Sequence, residues 1–160
     1  MWHRALPRAS GVCRIVVGRA EEGSQIVEVF QRSPLRMIFS QIAGARVKQA
    51  VLLILRGPIA GGDRVECSVT AVANALIAVT SQTAERVYGA LLKPVRVMTK
   101  LKVSDGSRLA WFPQETMIFN WARLHRETEV DISCEVESLH SSGLCSVVGD
   151  HGEQTVRAES

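Results

Sequence analysis

Two stretches of this 160-residue sequence concentrate side chains capable of chemistry. One is LAWFPQETMIFNWARLHRETEVDIS, Leu109 to Ser133, where Gln114, Glu115, Asn120, Arg123 and His125 are set among aromatic rings. A carboxylate lodged between Trp111, Phe112 and Phe119 would be driven toward its neutral form by desolvation, the environment of a general acid or base. The plainer expectation, and the one preferred, is that Gln114 and Glu115 hydrogen-bond the loop backbone after Pro113. The other stretch is GPIAGGDRVECSVTAVANALIAVTSQTAERVY, Gly57 to Tyr88. Here Gly57, Gly61 and Gly62 shape a tight loop that ends on Asp63, because glycine supplies positive φ and Pro58 fixes its own.

No recognised catalytic apparatus accompanies these residues. The sequence contains no GxSxG elbow, no Walker A loop and no HExxH. Gly61-Gly62-Asp63 matches half of the cyclic-dinucleotide synthase signature, but that signature needs an acidic and an aromatic residue next. Arg64 and Val65 stand there instead, which excludes it. His3, His125, His140 and His151 show no metal-ligand spacing, and Cys134, Cys145 and His151 lack the tight pairs of a zinc site. No resident metal and no tightly bound cofactor are expected. Cys13, Cys67, Cys134 and Cys145 form no CxxC pair and read as reduced, buried thiols, with a Cys134–Cys145 disulfide only in an oxidising compartment.

The composition is that of one globular domain with a real core: 46% of residues are hydrophobic. A net charge of +3 with scattered basic residues, and only three Trp, one Tyr and four Phe, give no support to a nucleic-acid or membrane partner. No apolar run approaches a spanning helix and no signal peptide is evident, so the expectation is a soluble, cytoplasmic protein.

The elements that must position the two stretches read as strands. Val12–Val17 and Gln25–Phe30 form a hairpin pattern, Ser33-Pro34 ends it, and Leu35–Phe39 begins a third strand. Ala50–Leu55 reads as a fully buried strand, and Arg64–Val69 alternates as a half-buried one. Leu76–Val79, Val95–Val103, Leu109–Phe112, Met117–Phe119 and Arg126–Ile132 complete the set, with Asp105-Gly106 as a turn. Thr80–Tyr88 (TSQTAERVY) reads as a short helix capped by Thr80 or Ser81. A faint repeat is present: Cys67-x-Val69, Leu76 and Gln82 recur as Leu101-x-Val103, Leu109 and Gln114, offset by 34 residues at the start and 32 at the end. A third start is Val130-x-Ile132. Such units stack in a β-helix or solenoid, although ordinary meander strands remain open. The expected class is mostly β, a stacked β-helix-like scaffold with one or two short helices.

GPIAGGDRVECSVT, then TSQTAERVY, then LAWFPQETMIF, together with VFQRSPLRMIF (Val29 to Phe39), resemble the UreD/UreH urease accessory proteins. Those carry a GGxxGGD loop, a TTQAAxKVY helix and an LEWLPQETI segment in the same order and spacing. The resemblance runs from about Val12 to Ile132. It implies a non-enzymatic maturation factor that binds apo-urease and further accessory proteins, including a nickel-carrying GTPase. It implies transient Ni²⁺ passing through an internal polar tunnel, with Asp63, Gln82, Gln114 and Glu115 as the residues near that path. Weak oxygen ligands suit transit, since softer ones would retain the metal.

Two departures bear on the resemblance. Pro58 replaces the second glycine of the family's first pair, which stiffens the loop. Residues 1–137 read as a UreD-like β domain holding the N-terminal rungs, and residues 138–160 (SLHSSGLCSVVGDHGEQTVRAES) as a divergent tail without the expected alternation. Family members continue further, so the reading is a truncated member with an unpaired strand edge. The alternatives are a β-solenoid interaction module that handles no metal, an inactive truncated family member, and a small hydrolase using Glu115 or Asp63 with His125.

Overall fold

A computed structural model describes residues 8–40, 45–89, 93–104 and 106–132, and the backbone of three later strands. Expectations for His3, for Asp105, for a Cys134–Cys145 disulfide and for most of the tail lie outside these. In chain order the strands are β1 (Ser10–Ala20), β2 (Gly23–Arg32), β3 (Leu35–Phe39), β4 (Lys48–Ile54) and β5 (Arg64–Ala71). They continue as β6 (Leu76–Ser81), β7 (Glu85–Val87), β8 (Val95–Val103), β9 (Arg108–Phe112) and β10 (Thr116–Ile118). Last come β11 (Arg123–Ile132), β12 (Leu139–Ser141), β13 (Cys145–Val147) and β14 (Glu153–Glu159).

Two antiparallel hairpins, β1–β2 and β3–β4, start the fold. Every later pairing is parallel, and the strands take turns among three sheets. β5, β8, β11 and β14 extend from β1; β6, β9 and β12 extend from β4; β7, β10 and β13 form the third sheet. Each coil therefore places one strand on each face, so the chain is a parallel β-helix opened by two hairpins. Parallel strands need their faces covered, and here the inner faces cover one another.

The alternating residues behave as period two requires. In β5, Val65, Cys67, Val69 and Ala71 are buried while Arg64 faces water. Their partners on β1 and β8 continue the core with Ile15, Val17, Leu101 and Val103. Outward, Arg14–Glu66 at 3.0 Å, Lys100–Glu129 at 2.9 Å and Lys102–Asp131 at 2.8 Å bridge adjacent strands. These exposed pairs contribute little each. The hydrogen bond and charge of Glu129 raise the Lys100 pKa, so that contribution is present at neutral pH and fades as pH rises through the alkaline range.

Corners are stitched from coil to coil. Ala73 and Asn74 turn with φ of 54° and 61° between β5 and β6, and Gly106 turns with φ of 66° between β8 and β9. A Cβ on Gly106 would lie 2.4 Å from the Asn74 Oδ1, so the stacked corners demand glycine there. The Ala75 N–H donates to Ser107 Oγ across the same step at 3.0 Å.

Three expectations are corrected. Among the described residues there is no helix: Thr80–Tyr88 is the end of β6, a bend and β7. Its side chains serve neighbouring coils instead of a cap, for Thr80 Oγ1 donates to the Phe112 carbonyl at 2.7 Å and Ser81 Oγ accepts from the Gln114 N–H at 2.8 Å. The run at β4 is not fully buried, since only Ala50 is and Val51 to Ile54 are half-buried. The start of the repeat also sits two residues from the expected alignment, while the offset of 32 expected at its end is the one seen, as in Thr80 against Phe112. Cys67 pairs with Thr99 and Val69 with Leu101, while Leu101 pairs with Val130 as the third unit requires.

Cys13 and Cys67 are free thiols in register on β1 and β5, 0% and 4% exposed. The hydrogen bond with Cys13, and then burial, push the Cys67 thiol up, so it stays protonated at neutral pH. Mass spectrometry after brief iodoacetamide treatment should find both unlabelled in the native protein and labelled in denaturant. Rapid native labelling of either would contradict this core.

Candidate functional site

Because the coils stack in register, each inward position forms a column. One column runs Cys13, Cys67, Thr99, Thr128, and its neighbour runs Gly11, Val65, Val97, Arg126. Apolar on the first coils, the interior turns polar toward β11. A cavity of about 370 Å³ opens between the three sheets at this change. Leu52, Ile54, Val65, Val97 and Trp111 give it apolar walls, and Cys67, Thr99, Thr116, Thr128, Glu85 and Arg126 give it polar ones.

Two charges meet inside it. Glu85, on β7, and Arg126, on β11, form an ion pair through Arg126 Nη2 and Glu85 Oε2. Their side chains are 15% and 25% exposed. Thr116, paired with Glu85 on the adjacent strand and itself buried, donates its hydroxyl to the same Oε2 at 3.2 Å. The Arg126 Nε is buried and has no partner among the described residues. A half-satisfied guanidinium inside a fold is costly and calls for a reason.

Of the four residues singled out in the sequence, the structure brings two to the cavity. Gln82 and Gln114 line its exposed side. Glu115 is half-buried outside the lining, and its carbonyl accepts from the Glu85 N–H at 2.9 Å. Asp63 is 9% exposed and lies elsewhere, at the start of β5. Its carboxylate accepts from the Ala9 N–H at 2.8 Å and the Ala60 N–H at 2.9 Å, and its N–H returns to the Ala60 carbonyl at 3.0 Å. Asp63 thus ties the loop to both β1 and its own turn. Within that loop Gly57 and Gly62 have φ of 51° and 89°, whereas Gly61 is simply buried. Gly57, Pro58 and Ile59 reach the cavity rim, and the Ile59 N–H bonds the Arg86 carbonyl.

His125 stands on the outer face of its sheet, 3.9 Å from Glu127, whereas the Asp63 carboxylate is turned to the Ala9 and Ala60 N–H groups. The acid–base pairing of those two is not assembled. Among the described residues no three His, Cys, Asp or Glu side chains gather as a metal cluster, and no helix is long and apolar enough to cross a membrane. Glu85 and Arg126 escaped the sequence reading. Their signal was available in part: Leu124, Arg126, Thr128 and Val130 share one parity, and Leu124 is buried.

These features define a parallel β-helix with a partly polar, ion-paired interior. Residues 9–154 match the family described as UreD urease accessory protein. The chain belongs to that family. It is 37% identical over 134 residues to the urease accessory protein UreD of Roseobacter denitrificans, covering 83% of this chain and 48% of that one. It is 33% identical over 127 residues to UreD of a Chelativorans species, covering 79% and 46%. Against UreD 2 of Methylorubrum populi it is 33% identical over 136 residues, covering 82% and 46%. The chain spans about half the length of the curated relatives it matches.

Replacing the Asp63 carboxylate removes an ionised acceptor from two backbone donors. Asp63→Ala should cost about 2–4 kcal/mol, and Asp63→Asn less, because it keeps one acceptor oxygen. Urea denaturation measures this, and a loss within experimental error for Asp63→Ala would rule out the clamp.

Proposed function

We propose that this chain is a urease accessory factor, a non-catalytic cytoplasmic scaffold that binds apo-urease together with further accessory proteins, a nickel-carrying GTPase among them. Ni²⁺ is its cargo, and the interior cavity is part of the path toward the dinickel site of urease. Family membership supports the accessory role. The observation that carries the cargo reading is the column that changes from thiols to Thr99 and Thr128 beside Glu85 and Thr116. A β-helix that needed only stability would fill those positions with Val, Ile or Leu, as it does at Val69 and Leu101.

The chemistry of such a path is restrained. Hydroxyl, amide and single carboxylate oxygens hold a first-row divalent ion weakly and exchange quickly, while a cluster of thiolates or imidazoles would keep it. Gln82 and Gln114 at the exposed side and Glu85 deeper in supply such donors in sequence.

Pull-down of apo-urease and its accessory proteins on this chain, with nickel counted per urease after incubation, tests the reading. Wild type should bind and raise nickel loading. Thr128→Phe, which fills cavity space, should still bind but lower loading severalfold. Binding with loading independent of the chain and of the filled cavity would instead mark an interaction module that handles no metal.

A further inference from the structure

The ion pair inside the cavity is placed where the fold has least need of it. Its column is Val65 and Val97 on the two preceding coils, and a third valine at position 126 would continue the core. Replacing a desolvated ion pair by packed apolar residues is often neutral or stabilising, so a pair that persists asks for a use. Its geometry is also incomplete. Arg126 engages Glu85 through Nη2, the Thr116 hydroxyl falls on the same Oε2, and Nε has no partner among the described residues. A fork-to-fork arrangement would have satisfied both nitrogens and both oxygens. The two residues also come from different coils, β7 and β11, with Thr116 of β10 in register beside Glu85. The long arginine side chain spans that gap, and such a side chain is able to swing its head toward water at the open side.

We propose that Glu85 and Arg126 form an exchangeable latch across the cavity, in which an entering divalent cation displaces the guanidinium and takes the Glu85 carboxylate. The inference rests on the cavity being a cargo path. In the resting state Arg126 neutralises Glu85, so the carboxylate is not a standing metal trap. When the ion arrives, Glu85 and the Thr116 hydroxyl are hard oxygen donors already side by side, and the lining amides of Gln82 and Gln114 are the same class of donor. Arg126, released, repels the next cation and returns when the first leaves. One carboxylate with neutral oxygens gives weak, reversible binding, and competition from the arginine weakens it further.

Titration calorimetry of the full 160-residue chain with nickel chloride at neutral pH tests this. Trp111 lines the cavity, so quenching of its fluorescence by cobalt chloride, in a chain with Trp2 and Trp121 changed to Phe, reports whether the ion sits there. Arg126→Gln should tighten binding by about tenfold, the effect of removing one competing charge from a partly desolvated carboxylate. Glu85→Gln should abolish binding and the quench, and the double variant should match Glu85→Gln. Arg126→Lys keeps the fold's buried charge and should tighten binding less, which preserves the test if the glutamine variant unfolds. Equal affinities in wild type, Arg126→Gln and Glu85→Gln, with Trp111 still quenched, would overturn the latch while leaving the cargo path. No uptake by any folded form would overturn both.

Discussion

Parallel stacking in register is the constraint on which this structure depends. Once β1, β5, β8 and β11 align through their backbone ladders, every inward side chain lies against its counterpart on the next coil. A column is then a shared environment, and a polar residue placed in it must be answered from within the coil. Thr99 and Thr128 continue a column begun by two thiols, and Arg126 finds its counter-charge on a different sheet. The register that makes the core efficient is the same feature that forces the polar residues together.

Register is held by details at the corners. The Asp63 carboxylate ties Ala9 and Ala60 at the entry to β5, the Gly62 N–H bonds the Pro94 carbonyl of the next coil, and Arg96 N–H bonds the Asp63 carbonyl. Asn74 packs on Gly106 at the opposite corner. Between the corners, Thr80 and Ser81 bond the backbone of Phe112 and Gln114. Slippage of one coil by a single residue would break all of these and turn the apolar columns outward. Asp63, Asn74, Thr80 and Ser81 thus devote their polar groups to register, while Glu85, Thr99, Thr116 and Thr128 face the cavity.

Much of the fold was legible because period-two alternation is a local signal. Hairpin β1–β2, strand β3 and the alternation of β5 and β8 all follow from it. What escaped is what alternation does not encode. A slip of two residues leaves every side chain on its own face, so pairing Cys67 with Leu101 satisfied the pattern as well as the true partner Thr99. At Thr80–Tyr88 the local propensities suit a helix, but three-residue β7 forms because Glu85 and Val87 pair with Thr116 and Ile118 across an interval that no local window spans. Once that segment is a strand, Glu85 turns inward. For the same reason the prominent residues of the GGD and PQET motifs divide: Asp63 is a clamp for backbone, Gln114 reaches the cavity, and the charges facing it come from residues that looked ordinary.

The chemistry of the thiols completes the account of the cavity. Cys67 lines it and Cys13 lies beside Cys67, so a soft donor pair stands next to the proposed route of a metal with high affinity for sulfur. A thiolate there would compete with every oxygen on the path. The Cys13 hydrogen bond and burial push Cys67 up and keep it a thiol, which is a poor ligand until it loses its proton. The interior thereby separates two roles that share one column. The protonated Cys67 sulfur fills space at the cavity wall, and hydroxyl and carboxylate oxygens face the ion-paired end. The path proposed for a labile cation needs both, since the Cys13 hydrogen bond and the burial that hold Cys67 protonated also make its sulfur a poor ligand.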